Sequence, residues 1–147
     1  MDRIQLFKVA VSAFIVRDDK LLILRRSENE TFLPGAWEVP GGGIDRDEAI
    51  VEGLIRETKE EAGLDISSQK LFGFFEYTDG YDQKTVNLNF ICKLLDDSQR
   101  PDVSQGEMES AAWVGSADLK DYGFTSDVMR DACIEALRLV KTAEGDS

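Results

Sequence analysis

The sequence contains no histidine and only two cysteines, and its 17 basic residues are outnumbered by 29 acidic ones. Cys92 and Cys133 lie far apart in unrelated contexts, so we expect buried free thiols and neither a disulfide framework nor a zinc site. The formal net charge of −12 repels polyanions, which disfavours binding to DNA or RNA through phosphate neutralisation. These absences argue against a zinc enzyme and against a polynucleotide-binding protein.

Long apolar runs are also missing. The first 16 residues lack the basic start and the cleavage pattern of a signal peptide, and the run at residues 9–16 is too short to span a bilayer. We therefore expect a cytoplasmic protein with no membrane partner. With 147 residues and 42% hydrophobic content, the chain is predicted to form a single domain over residues 1–147.

Hydrophobic patterning predicts strands and helices in mixed order. Strands are predicted at residues 7–16, 21–24, 37–39, 70–78, 84–95 and 111–114. A tight turn at residues 17–20 should join the first two strands, and Asp79-Gly80 should lie in a hairpin. Loops are predicted at residues 27–36 and 96–105. The mixed order argues for an α/β fold.

Two helices are predicted. Asp45 and Glu48 have the spacing of a capping box, and Gly63 has the place of a C′ glycine, so the first helix is predicted from residue 46 or 47 to 62. The second is an amphipathic helix at residues 126–141, followed by a frayed end in the last six residues.

The first predicted helix carries an acidic face. At 100° per residue, Glu57, Glu60 and Glu61 fall within an arc of about 100°. Such neighbours repel by a few tenths of a kcal/mol per pair, and a bound cation would reverse the sign. The preceding glycine segment, residues 40–43, lets backbone approach a ligand closely. Carboxylates are hard oxygen ligands that suit Mg²⁺ or Mn²⁺, so this face is interpreted as a metal site. The alternative interpretation is an acidic helix surface that is simply solvated.

These residues belong to a longer pattern that resembles the Nudix box. The matching positions are Gly42, Glu48, Arg56, Glu57, Glu60, Glu61, Gly63 and Leu64. The resemblance implies a Nudix α/β/α sandwich with a mixed β-sheet between helices. It also implies metal-dependent hydrolysis of nucleoside diphosphates linked to another moiety. Thr58, where an aliphatic residue is usual, and Asp47, where glycine is frequent, depart from the pattern without removing a ligand.

The same resemblance implies roles for individual residues. Glu57, Glu60 and Glu61 become catalytic metal-binding acids, with Glu57 also a candidate for the general base. The backbone of Gly41 becomes a further metal ligand. Arg56 becomes the residue that holds the acids in place, a role that suits its planar fork.

Three further candidates each have an alternative reading. Glu48 either reaches the metal through water or is simply a favourable acid at a helix start. Arg26 matches a position that can contact phosphate, against an ordinary surface charge. Glu107 resembles an acid that some relatives supply from a loop as a metal ligand or base, against a solvated side chain.

Asn87 and Asn89 are candidates for substrate binding. Strand alternation sends both to one face, where they could read a base or sugar; the alternative is a half-exposed strand with solvated asparagines. Phe74, Phe75 and Tyr77 could stack on a base, although core packing is the favoured role for at least two of them.

The sequence therefore predicts a Mg²⁺- or Mn²⁺-dependent pyrophosphohydrolase with a small nucleotide substrate. A nucleoside triphosphate, including an oxidised purine one as in the MutT-like branch, is favoured over ADP-ribose or a dinucleotide. A non-catalytic Nudix-like binding module is the alternative from another class, and the presence of all three acids argues against it. A decapping enzyme is disfavoured because the chain has no basic stripe. A homodimer is left open.

Overall fold

The computed structural model describes residues 3–145. In chain order, the elements are β1 (Lys8–Arg17), β2 (Lys20–Arg26), β3 (Trp37–Glu38), β4 (Gly41–Gly43), α1 (Ile50–Ala62), β5 (Ile66–Thr78), β6 (Lys84–Leu94), β7 (Met108–Val114), a 3₁₀ helix (Ser116–Asp121) and α2 (Asp127–Gly145). Within this range, no helix is long and apolar enough to cross a membrane.

The strands form a mixed sheet whose main order is β3-β2-β1-β6-β5. β1 and β6 run parallel in its centre, with Lys8 beside Thr85 and Ile15 beside Cys92. β4 pairs antiparallel with β1, and β7 pairs antiparallel with β2. The short glycine strand β4 is thereby fixed against the central strand.

The two helices pack on opposite faces of the sheet. Alternate side chains of β1 and β2 point in opposite directions, so each strand contributes side chains to both faces. The cluster that contains Leu54 of α1 includes Val11, Ala13, Ile15, Leu22 and Leu24. The cluster that contains Met129, Cys133 and Leu137 of α2 includes Phe14, Leu21 and Ile23. The expected α/β/α sandwich with a mixed sheet is confirmed. Both cysteines are buried and free, as predicted.

The predicted tight turn and hairpin are confirmed. Asp18 and Asp19 have φ angles of 52° and 62°, the left-handed values of a type I′ turn. In the β5–β6 loop, Oδ1 of Asp79 accepts hydrogen bonds from the backbone N–H groups of Tyr81 and Gln83 at 2.8 and 2.9 Å.

The predicted start of α1 at residue 46 or 47 is wrong, because the helix begins at Ile50. The capping contact itself forms, since the Asp45 N–H donates to Oε1 of Glu48 at 3.0 Å. However, Arg56 also binds the Glu48 carboxylate, and residues 46–48 form a turn and a bend instead of a helix. The predicted end is confirmed, with Gly63 at φ 69°.

Other boundaries also differ from the prediction. β5 begins at Ile66 instead of residue 70, because Ile66 pairs with Leu94 of β6. β7 begins at Met108 instead of residue 111, because Met108 pairs with Arg26 of β2. α2 continues to Gly145, so the fraying predicted for residues 142–145 is wrong, and residues 146–147 lie outside the described range.

Candidate active site

Glu57 of α1 lies directly against the glycine strand β4. A Cβ atom on Gly42 would collide with the Glu57 carboxylate, whereas a Cβ on Gly43 would have no atom within 4 Å. Gly42 therefore leaves the space that the carboxylate occupies. Glu57 is half-buried, and burial is the main cause that raises its pKa.

Arg56 connects the acids of α1 to the segment before the helix. Its Nη1 donates to Oε1 of Glu57 and Oε2 of Glu60, both at 3.1 Å. Its Nε and Nη2 donate to Glu48 at 2.6 and 2.9 Å, and Nη2 also donates to the Gly43 carbonyl at 3.1 Å. The Arg56 hydrogen bond, followed by that from the Asp45 N–H, lowers the pKa of Glu48 to about 2.

Glu61 is the most perturbed acid of the site. Its Oε1 atom is enclosed and has no hydrogen-bond partner among the described residues. Burial, then the charge of Glu38, raises the pKa of Glu61 to about 8, although an interaction with the Gly41 backbone N–H opposes the rise. A buried carboxylate oxygen without a partner is a feature that a bound cation would resolve.

Glu38 belongs to the same acidic group, and the sequence interpretation missed it. Burial raises its pKa, in spite of Arg26, whose Nη1 lies 3.6 Å from its carboxylate. The sequence did contain a signal for Glu38, because this acid lies on the predicted short strand just before the glycine segment. The Arg26 side chain is mostly buried and donates to the Phe32 carbonyl at 2.9 Å, so its reading as an ordinary surface charge is wrong.

Glu107 is exposed just before β7, yet its charge raises the pKa of both Glu38 and Glu61. The structure thus brings Glu107 into the electrostatic neighbourhood of the acids on α1. Its role as a metal ligand or base stays a prediction.

The acids fit a divalent cation by their chemistry. Glu57, Glu60 and Glu61 offer hard oxygen donors, and Glu61 has an unpartnered oxygen. As these side chains are placed within residues 3–145, no three carboxylates or thiols stand close enough to hold one ion. Arg56 binds Glu57 and Glu60 instead, so loading a cation would require these two carboxylates to turn.

A cleft of about 590 Å³ opens beside β4, a volume typical of small-molecule sites. Ser12 and Asn87 line it, and so do Glu38 and residues 41–43, among which Gly42 lies against the Glu57 carboxylate. The apolar lining of the cleft comes from several segments of the chain and includes Val9, Ala10, Phe32, Leu33, Val39, Phe75, Tyr77, Val128 and Met129.

Asn87 and Asn89 are 6% and 4% exposed, so the alternative of a half-exposed strand with solvated asparagines is wrong. The favoured core role for at least two of the three aromatic residues is also wrong, since Phe74 is 65% and Tyr77 45% exposed. Their strand β5 is at the edge of the sheet, where one helix cannot cover it.

Comparison with known proteins identifies the family. The NUDIX domain model matches residues 6–132. A MutT-like protein from Streptomyces ambofaciens is 30% identical over 141 residues, covering 95% of this chain and 79% of that protein. The solved MutT protein from Methanosarcina mazei Go1 superposes with a TM-score of 0.74 at 25% identity, covering 95% of this chain and 99% of that one. The chain belongs to the Nudix family. It is a Nudix-type hydrolase acting on phosphoanhydride bonds.

Two other relatives differ in the activity that they are named for. The nucleoside triphosphatase NudI from Escherichia fergusonii is 26% identical over 123 residues, covering 78% of this chain and 86% of that protein. The ADP-ribose pyrophosphatase from Methanocaldococcus jannaschii is 35% identical over 71 residues, covering 48% of this chain and 41% of that protein. The chain spans only 30% to 38% of the plant Nudix hydrolases that it matches.

Proposed function

We propose that this protein is a divalent-metal-dependent pyrophosphohydrolase that converts a nucleoside triphosphate, including an oxidised purine one, to a monophosphate and pyrophosphate. The observation that carries the proposal is the group of half-buried acids, Glu38, Glu57 and Glu61, of which Glu38 lines the cleft and Glu57 lies against its lining residue Gly42. The unpartnered oxygen of Glu61 lies in this group.

The proposed roles follow from the contacts of each residue. Glu57, Glu60, Glu61 and the Gly41 backbone would hold Mg²⁺ or Mn²⁺, which neutralises the phosphate chain and lowers the pKa of a bound water. Arg56, which already contacts Glu57 and Glu60, orients them. Glu107 is kept as a candidate for a further ligand.

The chemical step is hydrolysis at phosphorus. A water oxygen bonds to the phosphorus, the bond to the bridging oxygen breaks, and the water's proton passes to Glu57. Glu57 is the candidate base because it lies among the acids of the site and burial raises its pKa. Arg26 is proposed to release the Phe32 carbonyl and bind a phosphate oxygen.

A nucleoside triphosphate is favoured because the cleft has room for a nucleoside and because NudI, a triphosphatase by name, is matched over most of its length. ADP-ribose is the second candidate, since the ADP-ribose pyrophosphatase relative is 35% identical where it matches.

The experiment that tests the proposal is turnover of a nucleotide panel with Mg²⁺, with Mn²⁺ and with EDTA. We expect hydrolysis to disappear in EDTA and to return with either metal, because Arg26 and Arg56 are already paired with acids of the site and do not offset its excess of carboxylates. Undiminished turnover in EDTA would overturn the mechanism.

The first products identify which bond breaks. In oxygen-18 water, phosphorus NMR should show the label on a phosphorus that flanks an internal bridge, with monophosphate and pyrophosphate released from a triphosphate. Nucleoside diphosphate and orthophosphate as first products would place the reaction outside this class.

Single-acid variants test the assignment of the site. Glu60→Gln and Glu61→Gln should each lower kcat by at least about 10²-fold, the usual effect of removing a preorganised charge. Glu52→Gln is the matched control, because Glu52 is an exposed acid in the first turn of the same helix. Near-normal rates in both site variants would show that these acids do not take part.

A further inference from the structure

Asn87 lines the cleft and is held in one orientation by two neighbouring side chains. Its Nδ2 donates to Ser12 Oγ at 2.9 Å and to Asn89 Oδ1 at 3.0 Å. An amide nitrogen carries two hydrogens, so both are used. These three side chains are at most 6% exposed, which makes the arrangement costly to disturb.

The remaining polar atom of Asn87 is an acceptor. No group among residues 3–145 donates to its Oδ1, and this atom is not one of the fully enclosed atoms without a partner. Because Asn87 lines the cleft, Oδ1 is available there to a donor on a ligand.

An aromatic residue lies across from Asn87 on the neighbouring strand. Phe75 is the cross-strand partner of Asn87, so both side chains point to the same face of the sheet. The Phe75 and Tyr77 rings are 6.0 Å apart at an interplanar angle of 30°. A flat ring stacked on Phe75 would present its edge to Asn87.

The charges around the cleft indicate which part of a nucleotide it takes. Lys8 lines it, but so do Glu38 and Glu76, and the other lining residues are uncharged. This lining offers no cluster of cations for phosphates. It suits the uncharged nucleoside, with the phosphate chain directed toward residues 41–43.

We propose that Asn87 selects the nucleobase by accepting, at Oδ1, a hydrogen bond from an amino or ring N–H group of a base stacked on Phe75. The inference rests on the proposed function and deepens it, since it names the atom that reads the substrate. Asn89 and Ser12 act as positioning residues that fix the orientation of the Asn87 amide.

The test measures binding, not turnover, so that its result is independent of hydrolysis. Calorimetry with Mg²⁺ present would compare AMP, GMP, CMP and UMP on the wild-type protein. The monophosphate bound most tightly is then compared with analogues in which each amino group is removed or each ring N–H is methylated. One such analogue should bind at least about tenfold more weakly, the loss expected when a buried acceptor stays unpaired.

Variants assign that loss to Asn87. Asn87→Leu lacks the Oδ1 acceptor and should bind the parent nucleotide and the weak analogue equally. Val86→Ala, on the opposite face of the same strand, is the control and should behave as the wild type. The wild-type comparison needs no substitution, so the test survives if a variant does not fold.

Equal binding of all the analogues by the wild type, or unchanged discrimination in folded Asn87→Leu, would overturn the inference. Absence of any monophosphate binding would do so too. If discrimination holds while no nucleotide is hydrolysed, the proposed function fails and the role of Asn87 stands.

Discussion

Glu61 carries a carboxyl group whose charged form is disfavoured by folding. Burial and the charge of Glu38 raise its pKa from the ordinary value of 4.5 to about 8. Between these two values, the folded state keeps a proton that the unfolded state releases. The free energy of unfolding therefore falls as the pH rises through this window, and the whole penalty is present above about pH 8.

Glu61→Gln should remove this pH dependence. In chelator, we expect the variant to be more stable than the wild type above about pH 8, by roughly 1–3 kcal/mol, with the difference vanishing near about pH 4. Urea unfolding across this range measures the effect, with Glu52→Gln as the control. A stability difference that does not change with pH would contradict the prediction.

Gly42 and Gly43 give a matched pair at the glycine strand. Gly42→Ala should displace the Glu57 carboxylate, because the new Cβ takes its place, while Gly43→Ala meets nothing within 4 Å. Because the displaced atoms end a flexible side chain, Gly42→Ala should keep the fold and lose about 10²-fold in kcat. Parallel rate and melting measurements check this. Equal rates in the two variants would mean that Gly42 does not position Glu57.

The β1–β2 turn offers a stabilising substitution within one element. Asp18 and Asp19 both have positive φ, and glycine is the preferred second residue of such a turn. Asp19→Gly should raise the free energy of unfolding by roughly 0.5–1 kcal/mol, because it relieves a left-handed residue that carries a Cβ. Gly63→Ala, at φ 69° and close to Asp102, should shift the urea midpoint in the opposite direction. A loss of stability in Asp19→Gly would show that the aspartate is not strained.

The boundaries of the elements show where local patterning stops being informative. The first residues of β5 are mostly polar and show no alternation of polar and apolar residues, because this strand lies at the edge of the sheet. Only pairing with β6 shows that they belong to the strand. The spacing of Asp45 and Glu48 correctly predicted their contact, but not that Arg56 would hold Glu48 in a turn before the helix.

In the candidate site, too, some residues could be predicted from local sequence patterns and others could not. The acids of α1 were predictable because helical spacing alone puts them on one face. Glu38, Phe75 and Met129 reach the cleft from three distant segments, and no local pattern encodes that meeting. Alternation predicted that Asn87 and Asn89 share a face. Their burial depends on Ser12 of β1, the neighbouring strand.

At the level of the whole molecule, cation binding should raise the melting temperature of the protein. A ligand that binds only the folded state stabilises it by about 2.7 kcal/mol at a hundredfold excess over Kd. Mg²⁺ at matched ionic strength should therefore raise the Tm of the wild type more than that of Glu57→Gln/Glu61→Gln. Differential scanning fluorimetry measures both shifts, and equal shifts would mean general screening by the ions.

The parallel pairing of β1 with β6 has a consequence for how the chain acquires its structure. All of β2, β3, β4, α1 and β5 lie between these two strands in sequence, so the centre of the sheet closes only after a long loop has been ordered. During synthesis, the apolar strand β1 cannot pair with its parallel partner β6 until β6 has left the ribosome. Nascent chains that stop before residue 84 should therefore expose an open strand edge and depend on chaperones to avoid aggregation.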